Sequence, residues 1–161
     1  MDLKKAYFAG GCFWGVEYYM RRIPGVVSVV SGYMGGTLEN PSYEEVKGHT
    51  TGHAETVEVV YDPSLTDYET VARMFFEIHD PTQEGRQGID IGPQYRSEVF
   101  YTDDEQKNIA VKLINILKER GFAVVTAVTP ASRFWRAEEY HQEYFAKNGG
   151  EPDCHFYTKR F

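Results

Sequence analysis

The apolar positions of the chain switch between a period of two and a period near four, and this switching lays out the elements. Leu3–Ala9 is a short apolar run closed by Gly10-Gly11 and predicts a strand. From about Cys12 to Arg22 the spacing becomes helical, until Pro24-Gly25 stops it. Val26–Tyr33 is rich in valine and predicts a central strand. Met34–Gly52 is crowded with Gly, Asn, Pro, Ser and Thr and reads as a long loop. Ala54–Tyr61 alternates cleanly and predicts another strand. Thr66 with Glu69 reads as a capping box opening a helix whose stripe is Val71, Phe75 and Ile78, ended before Pro81. Thr102 with Glu105 opens a second, with Ile109, Leu113, Ile116 and Leu117 on one side and Gly121 at its end. Phe122–Val128 is continuously apolar and predicts a buried strand. Ala137–Phe145 reads as a last short helix, and residues 147–161 as a flexible tail.

The order strand, helix, strand, strand, helix, strand predicts an α+β fold, a two-layer sandwich with helices over one sheet. No repeat or linker interrupts it, so residues 1–161 are expected to form a single domain. Met34–Gly52 and Asp80–Gln94 are long for connections, and such segments usually carry function.

Composition narrows the possibilities. At 161 residues the chain can bury a core without disulfide or metal staples. Its formal charge of -7 argues against a nucleic-acid partner, which would require a surplus of Lys and Arg. The apolar residues after Lys4-Lys5 are broken by Gly10-Gly11 and closed by Glu17, too soon for a secretory leader. No stretch reaches the roughly 20 apolar residues of a membrane span. A soluble cytoplasmic protein with reduced thiols, monomeric and away from membranes, is the expectation. Two cysteines are too few for a disulfide framework, so they are either inert or a working pair. The 12 Tyr and 10 Phe can fill the core or line a pocket.

Candidate chemistry begins at Cys12. At the start of a helix, after two glycines, its thiol would meet free backbone N–H groups and the positive end of the helix dipole. Its pKa is expected to fall, making a nucleophilic thiolate; the plainer reading is a small buried hydrophobe. Phe13 and Trp14 are neighbours on that helix and cannot both face the centre of one core stripe, so one of them needs another purpose, such as holding a substrate methyl or ring. Glu55 shares the apolar parity of Val57, Val59 and Tyr61. A carboxyl on that face should have a raised pKa and serve as a general acid, unless the strand end is solvated. Cys154, in the tail, can resolve a sulfenic acid as a disulfide or stay idle. His49 and His53 are four apart, but the surrounding Gly and Thr argue against a helix, and no metal is expected.

With these residues in view the chain resembles the A-type peptide methionine sulfoxide reductases. The signature is Gly11-Cys12-Phe13-Trp14-Gly15. Further blocks follow in order: Gly32-Tyr33-Met34-Gly35-Gly36, Asn40-Pro41-Ser42-Tyr43, Thr51-Gly52-His53-Ala54-Glu55, His79-Asp80-Pro81, Arg86-Gln87-Gly88-Ile89-Asp90, Gln94-Tyr95-Arg96-Ser97 and Glu138-Glu139-Tyr140-His141-Gln142. The resemblance implies that Cys12 attacks the sulfur of methionine S-sulfoxide, free or in proteins, and that Glu55 protonates the oxygen. It implies that Tyr43 and Tyr95 hydrogen-bond that oxygen, that Asp90 orders the site, and that Phe13 and Trp14 hold the ε-methyl. Cys12 then becomes a sulfenic acid, Cys154 resolves it, and thioredoxin reduces the disulfide, with no cofactor. The fold so implied is α+β with a ferredoxin-like β-α-β-β-α-β core, one extra helix and long loops. The stretch before Cys154, Asn148–Asp153, lacks the aromatic that many members carry. Two other readings use the same residues. A thiol peroxidase would need the cysteine pair but no acid and no methyl pocket. A non-catalytic module binding aromatic or methionine-rich peptides would leave both thiols idle.

Overall fold

A computed structural model describes residues 2–152 and 155–161. In chain order the elements are β1 (Lys4–Gly10), α1 (Phe13–Met20), β2 (Val26–Met34), α2 (Tyr43–Lys47), β3 (Ala54–Tyr61), α3 (Tyr68–Ile78), β4 (Arg86–Gln87), β5 (Asp90–Ile91), β6 (Ser97–Tyr101), α4 (Asp104–Glu119), β7 (Ala127–Pro130), β8 (Trp135–Arg136) and α5 (Tyr144–Asn148). Six strands make one sheet in the order β7-β6-β1-β3-β2-β8, and β4 and β5 make a separate hairpin. All neighbours in the sheet are antiparallel except β6 and β7. The fold is α+β, with α1 packed on β2 and β3, α4 on β6 and β7, and α3 between the two helices.

Period two along the strands decides which side chains meet the helices. Ala6 and Phe8 of β1 and Val57 and Val59 of β3 join Phe13, Val16, Val71, Phe75, Leu113 and Leu117 in one core. The opposite face carries a smaller cluster of Ala9, Met34, Ala54 and Phe100, covered by Phe134. Fully burying each of these large side chains stabilises the fold by about 1.5–3 kcal/mol relative to exposure.

Several local expectations shift. The 34–52 loop contains α2, opened by a capping box in which Ser42 and Glu45 each accept the other's backbone N–H. The two long helices begin one residue later than the threonines suggest. Asp67 accepts from Thr70 N–H and Asp103 from Gln106 N–H, each at 2.8 Å. A carboxylate there is a charge-assisted cap that also meets the helix dipole, which a threonine hydroxyl does not match. The strand expected over Phe122–Val128 is irregular up to Thr126, and β7 is a half-exposed edge strand; the inner place beside β1 belongs to β6. The helix expected over Ala137–Phe145 is broken into a 3-10 turn at Glu139–His141 and α5. At the break Glu143 takes a left-handed conformation, and the Gln142 side chain accepts from Ser31 N–H and donates to the carbonyl of Ser31, both at 2.9 Å, adding a strand-like rung to β2.

The tail expected to be free is docked over its last residues. Thr158 N–H donates to Glu77 O at 2.7 Å, Arg160 Nε donates to Phe76 O at 2.8 Å, and Phe161 packs against Phe76. Buried carbonyls at the C-terminal end of α3 need donors, and this segment supplies them.

Candidate active site

β1 ends at Gly10, and the chain must turn at once into α1. Gly11 makes the turn with a φ of 93°, open to glycine without strain, and Cys12 becomes the N-cap of α1. The thiol is thus placed at the positive end of a helix, as expected. It lies partly open to a pocket that Trp14, Ile89, Asp90 and His155 also line.

Glu55 stands near the start of β3 on the parity of Val57 and Val59, and faces the helix layer. It is 2% exposed, and its Oε1 accepts the backbone N–H of Phe13 at 3.2 Å. Burial pushes its carboxyl up to about 8; the Phe13 hydrogen bond opposes this, and the charge of Asp90 adds to it. The group is therefore protonated at neutral pH. The solvated alternative does not hold.

Cys12 departs from expectation. The backbone N–H groups of Trp14 and Gly15 favour its thiolate, but burial and then the charge of Glu55 outweigh them and push the thiol well above its usual range. The helix end is a partial charge at the surface of a desolvated group, and desolvation wins. With Glu55 protonated, its share of that penalty disappears.

The aromatics divide. Phe13 is fully buried and packs against Tyr33 and His141. Trp14 is half-buried beside the pocket, stacked on Tyr144 with ring centres 3.7 Å apart. Tyr43 is the first residue of α2, not a loop residue. Its N–H donates to Glu138 Oε2 at 3.0 Å, and Tyr33 O–H donates to Glu138 Oε1 at 3.1 Å. Burial, then the charges of Glu55 and Cys12, push the Tyr43 hydroxyl up to about 12. Asp90 opens β5, and Tyr95 closes a 3-10 turn (Pro93–Tyr95) before β6. The Tyr95 hydroxyl is raised by burial and then by Glu55, Tyr43, Asp90 and Cys12. All five groups therefore share one electrostatic site. Cys154 lies outside the described residues.

Three partners had no role assigned from the sequence. Glu138 fixes Tyr43, as above. His141 is fully buried and accepts Trp14 Nε1–H on Nδ1 at 2.9 Å, which leaves the proton on Nε2. Both lie in a motif block whose pattern alone names no contact. His155 is buried against Gly11 and Gly15. His49 and His53 are committed elsewhere, His49 to Gln94 at 2.6 Å and His53 to Gly36 N–H and the carbonyl of Leu38.

A family model described as peptide methionine sulfoxide reductase matches residues 4–161. The peptide methionine sulfoxide reductase MsrA of Nautilia profundicola is 51% identical over 152 residues, covering 94% of this chain and 88% of the relative. The crystal structure of Mxr1 from Saccharomyces cerevisiae in reduced form superposes with a TM-score of 0.91 at 34% identity, covering 97% of this chain and 92% of the other. Mxr1 in complex with Trx2 superposes with a TM-score of 0.66 at 24% identity, covering 97% and 90%, a likeness of fold. With a family model over nearly the whole sequence and a relative half identical to it, the chain belongs to the peptide methionine sulfoxide reductase family, MsrA.

Proposed function

We propose that the enzyme reduces methionine S-sulfoxide, free or in proteins, by transferring its oxygen to Cys12. The observation that carries this reading is the protonated Glu55 buried beside the N-cap thiol. The sulfur of Cys12 attacks the sulfur of the sulfoxide, and the oxygen passes to Cys12 as the sulfur–oxygen bond of the substrate breaks. Oxygen is a poor leaving atom unless protonated, and Glu55 supplies the proton. The thiol hydrogen of Cys12 passes to Glu55 in exchange, so Glu55 ends the step protonated; the products are methionine and a Cys12 sulfenic acid. Tyr43 and Tyr95, with hydroxyls held neutral far above pH 7, donate hydrogen bonds to the oxygen as its charge develops. Trp14 borders the substrate methyl, with Phe13 beneath it as packing, and Asp90 orders the mouth of the pocket.

The thiol of Cys154 then attacks the sulfenic sulfur; a disulfide forms and the oxygen leaves as water. A dithiol protein of the thioredoxin class reduces the disulfide, as the existence of an Mxr1–Trx2 complex suggests for a similar protein. A cytoplasmic setting, where such reductants act, fits this chemistry.

A pre-steady-state comparison of methionine sulfoxide with hydrogen peroxide tests the assignment. Oxygen transfer from the sulfoxide should be much faster and should collapse in Glu55→Gln. Equal or faster turnover of peroxide, insensitive to Glu55, would favour a thiol peroxidase.

A further inference from the structure

Glu17 takes no part in the chemistry, yet it lies on α1 with only 2% of its surface exposed. A buried carboxyl group has to find donors, and this one finds three. Oε2 accepts Arg21 Nε–H at 2.8 Å, one turn along the same helix. Oε1 accepts Ser31 Oγ–H of β2 at 3.0 Å and the backbone N–H of Glu143, also at 3.0 Å and 126 residues away. Glu143 has a φ of 52°, a left-handed conformation that residues other than glycine seldom adopt. The bond from its N–H to Glu17 holds the chain in that turn.

The anchored N–H stands between the two groups that grip Trp14. His141, two residues earlier, accepts the indole N–H at 2.9 Å. Tyr144, one residue later and the first of α5, stacks on the indole with the ring planes 4° apart. Trp14 and Glu17 are three apart on α1, so they are neighbours on its surface. One helix thus carries both the indole and the carboxyl group that fastens the indole's clamp.

We infer that Glu17 is a positioning residue for substrate binding: by holding the Glu143 N–H and Ser31 through one oxygen, it keeps His141 and Tyr144 in contact with Trp14 and so fixes the indole as a wall for the substrate methyl. The inference rests on the reading of Trp14 as that wall. A side chain already fixed by a hydrogen bond and a stack loses little freedom when the substrate arrives, so binding is stronger. A displacement of about 1 Å is enough to spoil such an arrangement. The ion pair with Arg21 uses the other oxygen. Substitution can therefore separate the two roles of the carboxyl group, pairing charge and holding the turn.

Methionine formed in the first turnover, without reductant and over a range of sulfoxide concentrations, separates binding from chemistry. In Glu17→Leu, which keeps the bulk but has no acceptor, the half-saturating concentration should rise about tenfold or more, while the rate at saturation falls much less. Glu17→Asp is one methylene shorter, keeps a charge for Arg21 and loses the reach to Glu143. It should move the same way, and it carries the test if Glu17→Leu does not fold. Glu17→Gln, whose amide oxygen can hold both Ser31 and Glu143, should recover most of the affinity. Arg21→Gln, which removes only the Oε2 partner, should raise the half-saturating concentration far less than Glu17→Leu. Partial unfolding alone would lower the amount of product, not the half-saturating concentration. In a Trp135→Phe background Trp14 is the sole tryptophan. Its emission should shift to longer wavelength in the Leu and Asp variants, as the indole N–H exchanges His141 for water. An unshifted half-saturating concentration or an unshifted emission in folded Glu17→Leu or Glu17→Asp overturns the positioning role, as does an Arg21→Gln variant as weak as Glu17→Leu. If Trp14→Ala binds the sulfoxide as tightly as the wild type, the reading of Trp14 as the wall fails, and the inference with it.

Discussion

At neutral pH the Glu55 carboxyl keeps its proton because burial disfavours its anion by more than the Phe13 N–H stabilises it. This one fact serves both partners. In the proposed mechanism it leaves a proton for the sulfoxide oxygen, and it removes a negative charge that would add to the burial penalty on the Cys12 thiolate. Glu55→Gln cannot donate a proton, and should slow single-turnover methionine formation by about 10²–10⁴-fold with substrate binding nearly unchanged. In the wild type the same rate should decline as pH rises past about 8, where Glu55 ionises. A rate flat to pH 10 would remove Glu55 from the acid role. Cys12→Ser should form no methionine under the same conditions, and any burst of product would refute direct attack by the thiol. The buried place of Glu55 was legible in the sequence because parity along a strand is a local property. The raised thiol pKa was not, because desolvation depends on everything packed around the sulfur.

Elements show the same division at a coarser grain. β3 was predicted with its observed bounds, Ala54–Tyr61, since strict alternation leaves little freedom. The helix starts moved by one residue because two capping patterns overlapped, and the charged Asp won in each case. Asp67→Ala should therefore cost about 1 kcal/mol in urea unfolding, while Thr66→Ala should change stability little. The reverse result would restore the threonine cap. Gly15→Ala sets helix propensity against packing. Propensity favours alanine by about 1 kcal/mol, but overpacking against His155 costs about 1–3, so the variant should lower the melting temperature. The short β8 and the broken segment at Gln142 had no periodic signal, because their partners are on β2, far away in the chain.

For the whole molecule, buried titratable groups set how stability follows pH. The unfolded Glu55 would titrate near 4.5 and the folded one near 8. Between those values the native state binds more protons than the unfolded state, so Glu55 makes stability fall as pH rises from about 4.5 to 8. His79 has the opposite sign. Burial lowers it from 6.5 to about 3, and it makes stability fall as pH drops through that window. The two slopes oppose each other between about 4.5 and 6.5, and Glu55 acts alone above. Chemical denaturation from pH 6.5 to 8.5 should show a loss on the order of a few kcal/mol, reduced or absent in Glu55→Gln. An equal loss in both proteins would place the effect elsewhere.

The sequence by itself determined the family and the first three strands with α1 between the first two, and it named Cys12 and Glu55 as the candidate nucleophile and acid. Those depend on motif order, period and parity, which are written along the chain. Tertiary structure decided which groups share the site and in what protonation state. Trp14 meets His141 across 127 residues, and Gly10 meets His155 across 145. Contacts at such separation have no local spacing to reveal them. The thiol's resting state, the neutral tyrosines and the seat of His155 all arise from burial, which exists only once those distant segments have packed together.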